Sequence, residues 1–250
     1  MPNWCSNKLV VSASKKSEVE NFLQKVRGDD GDGTIEEFTF NSLVPRPKTE
    51  EDNWYDWNVQ NWGTKWDASE PNVSLSENEN IAHITFDTAW SPPIEWLEKV
   101  APQFPHLNFT LLYYEGGMGF AGEQEYQEGE EMFHAQYDSG EEGYWEIATS
   151  GMSDEEIEEM ATENIENNAL DYWEYSFDDL LKYVGEENRE KLENLIVAHK
   201  ILGDMPKSFD GEYIGCDLVK VIDELIGTET FYKKVLEVKK QEGTLKRLAV

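Results

Sequence analysis

Cysteine, histidine and basic residues are all scarce in this chain. Of 250 residues, two are cysteine, four are histidine and 21 are lysine or arginine. Cys5 and Cys216 lie near opposite ends and make no CxxC pair. That argues against a disulfide framework or a cysteine-rich zinc site and fits a reducing compartment. His83, His106, His134 and His199 have neither H-x-x-x-H nor H-E-x-x-H spacing, so no metal-ligand signature exists and no metal or other cofactor is expected. G-x-S-x-G, a P-loop and a catalytic-cysteine context are also missing, and the expectation is a protein that is not an enzyme. No apolar run approaches the roughly 18 residues of a membrane span. The opening MPNWCSNKLVV lacks the basic-then-apolar pattern of a signal peptide. The expected location is the cytoplasm, in soluble form.

Against 21 bases stand 52 acids, a net charge of −31. Such a chain repels nucleic acid and anionic membranes, and its electrostatic partners are basic proteins or cations. The charge is concentrated in the middle. By successive fifty-residue blocks the net is −1, −8, −10, −11 and −1, and no lysine or arginine falls between Lys99 and Lys182. Aromatics reach 12% and hydrophobic residues 39%, so unlike a disordered acidic chain this one can bury a core.

Hydrophobic periodicity divides the chain near residue 150. In the first part Leu9, Val11 and Ala13 alternate as a strand, and Val19, Phe22, Leu23 and Val26 follow helical spacing. Residues 34–40, with Phe38 and Phe40, read as a second strand. Val73 and Leu75, then Ala82, Ile84 and Phe86, read as a hairpin around residues 77–80. Pro92 and Pro93 open a helix with Ile94, Leu97, Ala101 and Phe104 on its apolar face. Leu107, Phe109, Leu111 and Tyr113 alternate again. The order β-α-β-β-α-β is that of a ferredoxin-like fold, and residues 133–137 with 144–148 suggest an extra hairpin. The predicted class is therefore α+β: a ferredoxin-like domain over 1–150 and a helical, partly acidic domain over 151–250. In the latter, Ser153 and Glu156 spell a capping box ahead of Ile157, Ala161 and Ile165. Leu192, Leu195, Ile196, His199 and Leu202, then Leu218, Val219, Ile222, Leu225 and Ile226, then Phe231, Val235 and Val238, mark further helices. His199 on such a face is expected to be a satisfied core histidine.

Two motifs fail on context. Gly117, Gly119 and Gly122 spell G-x-G-x-x-G after a strand, but EQEYQEGEE follows where a dinucleotide fold needs an apolar helix. A glycine hairpin turn leading into a bulged strand fits better. Asp29, Asp30 and Asp32 suggest a calcium loop, but no third ligand and no bidentate glutamate stand in register.

Five blocks carry a family resemblance: MPNWCSN (1–7), LVPRP (43–47), WYDWNVQNWGTKWDA (54–68), FDTAWSPP (86–93) and FPHLNFTLLYYEGGMGFAG (104–122). Together they resemble the YubB-type ferredoxin-like proteins of phages and plasmids, over roughly residues 1–150. The resemblance implies a ferredoxin-like domain and a mobile-element origin, and no activity.

Two candidate sites remain. Trp54, Trp57, Trp62, Lys65, Trp66 and Trp90 form a possible aromatic pocket able to cage a cation or anchor a partner. Alternatively their loop packs its own aromatics over the sheet, with Trp62 and Trp66 as anchors. The second candidate is acidic. Residues 154–179 hold 11 acids and no base. As one helix rising about 1.5 Å per residue, they would place a charge every ~3.5 Å, close to the roughly 3.4 Å of a DNA strand. Glu155, Glu156, Glu158, Glu159, Glu163 and Glu166, with Glu123, Glu125, Glu128, Glu130 and Glu131, are the candidate partner-binding residues. A solvated face serving solubility is the plain alternative. The function expected is an acidic, DNA-mimic-like inhibitor of a basic, nucleic-acid-binding host defence protein of restriction or CRISPR type. It would have no direct nucleic-acid or membrane partner. The alternative is a non-catalytic small-molecule or peptide binder using the tryptophan-rich surface.

Overall fold

Strand β1 (Trp4–Ala13) buries Cys5, Asn7, Leu9, Val11 and Ala13 and turns the alternate residues outward. An apolar face of this kind fixes which side of the strand meets the core. The computed structural model describes residues 3–29, 35–170, 173–199 and 212–249; Asp30, Asp32 and Leu202 lie outside them. The chain forms two compact units, Met1–Ala148 and Thr149–Val250.

In the first unit β1 is followed by α1 (Lys16–Val26), a two-residue ladder of β2 (Gly28–Asp29) with β3 (Ile35–Glu36), and α2 (Trp54–Trp62). Then come β4 (Ser69–Leu75), β5 (Ile81–Ala89), α3 (Ile94–Val100), β6 (Leu107–Glu115), β7 (Phe120–Gln127), β8 (Glu130–Asp138) and α4 (Glu142–Ala148). The sheet order is β4-β5-β1-β6-β7-β8, and every neighbouring pair is antiparallel. Elements β1-α1-β4-β5-α3-β6 are a ferredoxin-like domain, and β7–β8 extend its sheet past β6. The core gathers Val19, Phe22 and Val26 of α1, Trp96, Leu97 and Val100 of α3, and the inward residues of β1, β5 and β6.

The strand expected over residues 34–40 is not one. Only Ile35–Glu36 pairs, while Phe38 and Phe40 are buried in irregular chain. The reason is a substitute acceptor. The Asp67 carboxylate takes the N–H of Phe40 at 2.6 Å, of Asn41 at 3.1 Å and of Ala68 at 2.7 Å, so this backbone needs no ladder. The two rings join Phe86 and Trp96 in an edge-to-face cluster.

Burial pushes the Asp67 carboxyl up to about 6, against the lowering effect of its N–H partners. A carboxyl whose folded pKa is raised contributes stability that is full below the ordinary carboxylate range. That contribution is lost as pH rises through 6. Asp67→Asn is therefore expected to fall furthest below wild type near pH 4, with the gap in melting temperature narrowing toward pH 7. A gap that widens with pH would reverse the assignment.

The extra hairpin is β7–β8, closed by Glu128 (φ 51°) and Gly129 (φ 82°). Two successive positive-φ residues match the right-handed twist of the strands they join. Residues 144–148, expected as a strand, belong to α4: Tyr144, Ile147 and Ala148 share a helical face. This helix packs on β6, β7 and β8, with the Tyr144 ring 5.5 Å from that of Tyr114. The G-x-G-x-x-G run is the β6–β7 turn. Glu115, buried, accepts the N–H of Gly117 at 3.0 Å and of Met118 at 2.5 Å. At Gly122 the Tyr113 ring and hydroxyl occupy the place a Cβ would take. The strand that follows the turn is bulged, between Glu125 and Tyr126.

The second unit holds α5 (Asp154–Asn168), β9 (Glu174–Ser176), α6 (Phe177–Val184), α7 (Arg189–Ala198), β10 (Glu212–Ile214), α8 (Gly215–Leu225) and α9 (Thr228–Glu242), with β9 antiparallel to β10. Its core includes Ile165, Leu180, Leu192, Ile196, Leu218, Ile222, Phe231 and Val235. Ser153 and Glu156 make the capping box, and Ser176 with Asp179 makes a second at α6. His199 is not a core histidine: it ends α7 half-buried, its Nε2 3.0 Å from Glu224 Oε1. Among the described residues no helix is long and apolar enough to cross a membrane.

Candidate functional site

Three chain segments meet at one end of the first unit's sheet. The αL residue Gly63 (φ 84°) stops α2, its N–H bonded to Val59 O, and turns the chain toward β5. Only glycine takes this conformation freely. Thr64, fully buried, donates to Ala89 O at 3.0 Å, and Ser91 Oγ donates to Gly63 O at 2.6 Å. Thr88 Oγ donates to Ser91 O at 2.7 Å and accepts from the buried Asn7 Nδ2 at 2.9 Å. Loop 63–66, the end of β5 and the start of β1 are thereby stapled together through buried, satisfied polar groups.

That frame presents tryptophans outward. Trp4 opposes Ala89 in the ladder, and the Trp90 N–H donates to Asn3 O at 3.0 Å. Trp90 holds φ 72°, a left-handed conformation that is an outlier for a bulky residue. Trp4, Trp66 and Trp90 are 43%, 39% and 43% exposed. The Trp4 and Trp66 rings are 6.1 Å apart. The Lys65 ammonium lies 4.3 Å from the Trp66 ring and 4.9 Å from the Trp90 ring.

The six candidate pocket residues thus separate. Lys65, Trp66 and Trp90 come together and are joined by Trp4, which sequence reasoning left out. Trp62 is 2% exposed in the core, its Nε1 donating to Val44 O at 2.9 Å. Trp57 packs edge-on to Trp62 at 5.6 Å, half-buried, and Trp54 sits exposed beside Tyr55. Trp66, expected as an anchor with Trp62, is instead at the surface.

The acidic residues separate as well. The segment 154–179 is not one helix: α5 ends at Asn168, and Ser176 starts α6. Within α5, Glu156 is consumed by the capping box, whose N–H and hydroxyl donors hold its carboxyl below the usual range. Glu158 lies 2.5 Å from Lys240 Nζ. Glu155, Glu159, Glu163 and Glu166 are exposed on one stripe. They are spaced about 4.5–6 Å along the axis at the helical rise, wider than the roughly 3.4 Å of DNA phosphates. The acids of the extension hairpin belong to the other unit and split between faces. Glu131 accepts from Gln124 Nε2 at 2.8 Å on the face that α1 and α3 cover. Glu123 and Glu125 stand on the opposite side, in register with Ala135 and Phe133. Glu128 is in the turn, and Glu130 is exposed at the start of β8.

Burial pushes the Cys5 thiol up to about 12, far from a nucleophilic thiolate. No three His, Cys, Asp or Glu side chains among those residues group as metal ligands.

Residues 61–166 match the family described as the ferredoxin-like domain in Api92-like protein. A crystal structure of the protein api92 from Yersinia pseudotuberculosis is similar at 12% sequence identity, over 55% of this chain and 98% of that one, with a TM-score of 0.44. No curated protein matches. The ferredoxin-like assignment made from strand and helix order is therefore met by the family comparison.

Proposed function

We propose that the protein is a non-catalytic binding protein that presents the glutamate stripe of α5 to a basic partner. The setting is that of a phage or plasmid accessory protein competing with DNA for a host defence protein of restriction or CRISPR type. The observation that carries this reading is the state of four carboxylates. Glu155, Glu159, Glu163 and Glu166 are exposed on one side of one helix, and among the described residues none has a hydrogen-bond or ion-pair partner. Like charges at i, i+4 oppose helix formation, within a chain of net charge −31. A cationic surface relieves that repulsion. The wide spacing supports charge competition with DNA rather than a register copy of its phosphates.

The test is displacement of duplex DNA from a purified effector of this kind at about 50 and 300 mM salt. Surface charges further apart than the Debye length, roughly 8–10 Å near physiological salt, are screened. Displacement is expected to weaken at least about tenfold at the higher salt. Displacement indifferent to salt would remove the electrostatic reading. A second reading, a small-molecule or peptide binder at the tryptophan surface, is favoured by the seating of Lys65 between Trp66 and Trp90.

A further inference from the structure

We infer that Trp4, Trp66 and Trp90 form a seat for an arginine side chain of a basic partner, held by Lys65 until that arginine displaces it. This deepens the second reading and does not depend on α5. The cluster draws residues 4, 65–66 and 90 to one place, and each indole there remains about two-fifths exposed. None of the three belongs to the buried core cluster, which holds Trp62 and Trp96.

A cation already sits there. The Lys65 ammonium rests on the Trp66 and Trp90 rings, and no carboxylate among the described residues makes an ion pair with it. In a chain with 52 acids, a lysine held by indoles alone marks these rings as the local binding site for positive charge. Trp90 keeps its ring in place from a left-handed backbone, the kind of strain that gathers at ligand clamps. The occupant's chemistry follows from charge and shape. A net charge of −31 attracts cations and repels anions. A planar guanidinium stacks on indole faces better than the compact lysine ammonium it would replace.

The full-length protein is titrated with Nα-acetyl-arginine amide at constant ionic strength, following the indole N–H resonances of Trp4, Trp66 and Trp90. Saturable shifts confined to these three are expected. Lys65→Ala is expected to tighten binding about two- to fivefold, the worth of an exposed cation–π contact. Trp90→Gly keeps the left-handed backbone that glycine prefers, so its melting temperature should equal or exceed that of wild type while the saturable response disappears. Glutamate-to-glutamine changes on α5 should leave the response intact, so failure of the acidic reading is distinguishable from failure of this one. Shifts that grow linearly without saturation, or persist in Trp90→Gly, would overturn the seat. So would a Lys65→Ala protein that binds the probe more weakly, since Lys65 would then support the site and not occupy it, or one that loses a wild-type response to acetyl-glutamate, which makes Lys65 an anion anchor.

Discussion

Trp62→Ala is expected to destabilise the first unit by about 3–5 kcal/mol, the usual cost of emptying a buried aromatic site. The indole is 2% exposed and lies between Trp57 at 5.6 Å and Phe40 at 6.0 Å. Its Nε1–H is the partner of Val44 O, so truncation leaves a cavity and an unpaired carbonyl together. Because Phe40 also contacts Trp96 and Phe86, the void opens into the aromatic cluster that fixes residues 38–40. For a unit of this size the unfolding midpoint should drop by roughly 6–20 °C. Trp66→Ala, four positions along the same helix-to-loop block, should shift it by no more than about 2 °C, since a surface side chain leaves no cavity. Calorimetry of both variants decides the point. Similar midpoints for the two would mean that the block is packed otherwise than described.

The contrast between those two tryptophans shows what the sequence carried. Period-two alternation in residues 9–13, 82–86 and 107–113 was legible because each strand buries one face, and the 3.6 period of Val19, Phe22 and Val26 because α1 buries one stripe. Together they were enough to order a ferredoxin-like domain. Residues 34–40 misled because Phe38 and Phe40 alternate like a strand, while the N–H of Phe40 is taken by a carboxylate 27 residues on. No local pattern reports such a partner. Residues 144–148 misled because a five-residue aromatic run fits either period.

The tryptophan cluster was half legible. Trp4 occupies an even position in a strand whose odd positions are core, which puts it on the outward face. Fold order alone makes β5 antiparallel to β1, so the residue just after β5 had to neighbour the start of β1. Trp4 and Trp90 were therefore neighbours in principle. What brings Lys65 and Trp66 to them is the path of residues 63–66 after α2, pinned by Thr64, Ser91 and Gly63 through bonds that depend on the folded loop and that no periodicity reports. On the acidic side, residue counts were correct but continuity was not: the break after Asn168 carries no proline and no glycine before Gly185, and the local sign of a new helix is the Ser176–Asp179 capping box.

Replacing Glu155, Glu159, Glu163 and Glu166 together by glutamine is expected to weaken association with a basic partner on the order of tenfold to several-hundredfold. Individual exposed ion pairs are each worth little, and four acting on one surface multiply. Single replacements should change affinity by no more than about fivefold, because no one of the four is buried or fixed by a hydrogen bond. The fold should survive. α5 is held by Ile157, Ala161 and Ile165, buried, and by the Ser153–Glu156 box, none of which is altered. Removing like charges at i, i+4 should raise the melting temperature of the second unit slightly. The loss of affinity should shrink at about 300 mM salt, since the wild-type advantage is itself screened. One control separates surface from total charge. Glu186, Glu187, Glu190 and Glu193, on and before α7, remove the same four negative charges when changed to glutamine. If binding depends on the α5 stripe, that variant retains most of the wild-type affinity. If both quadruple variants lose affinity equally, the protein acts through its overall potential. If neither does, the acidic helix is a solvated face, and the tryptophan cluster remains as the site to pursue.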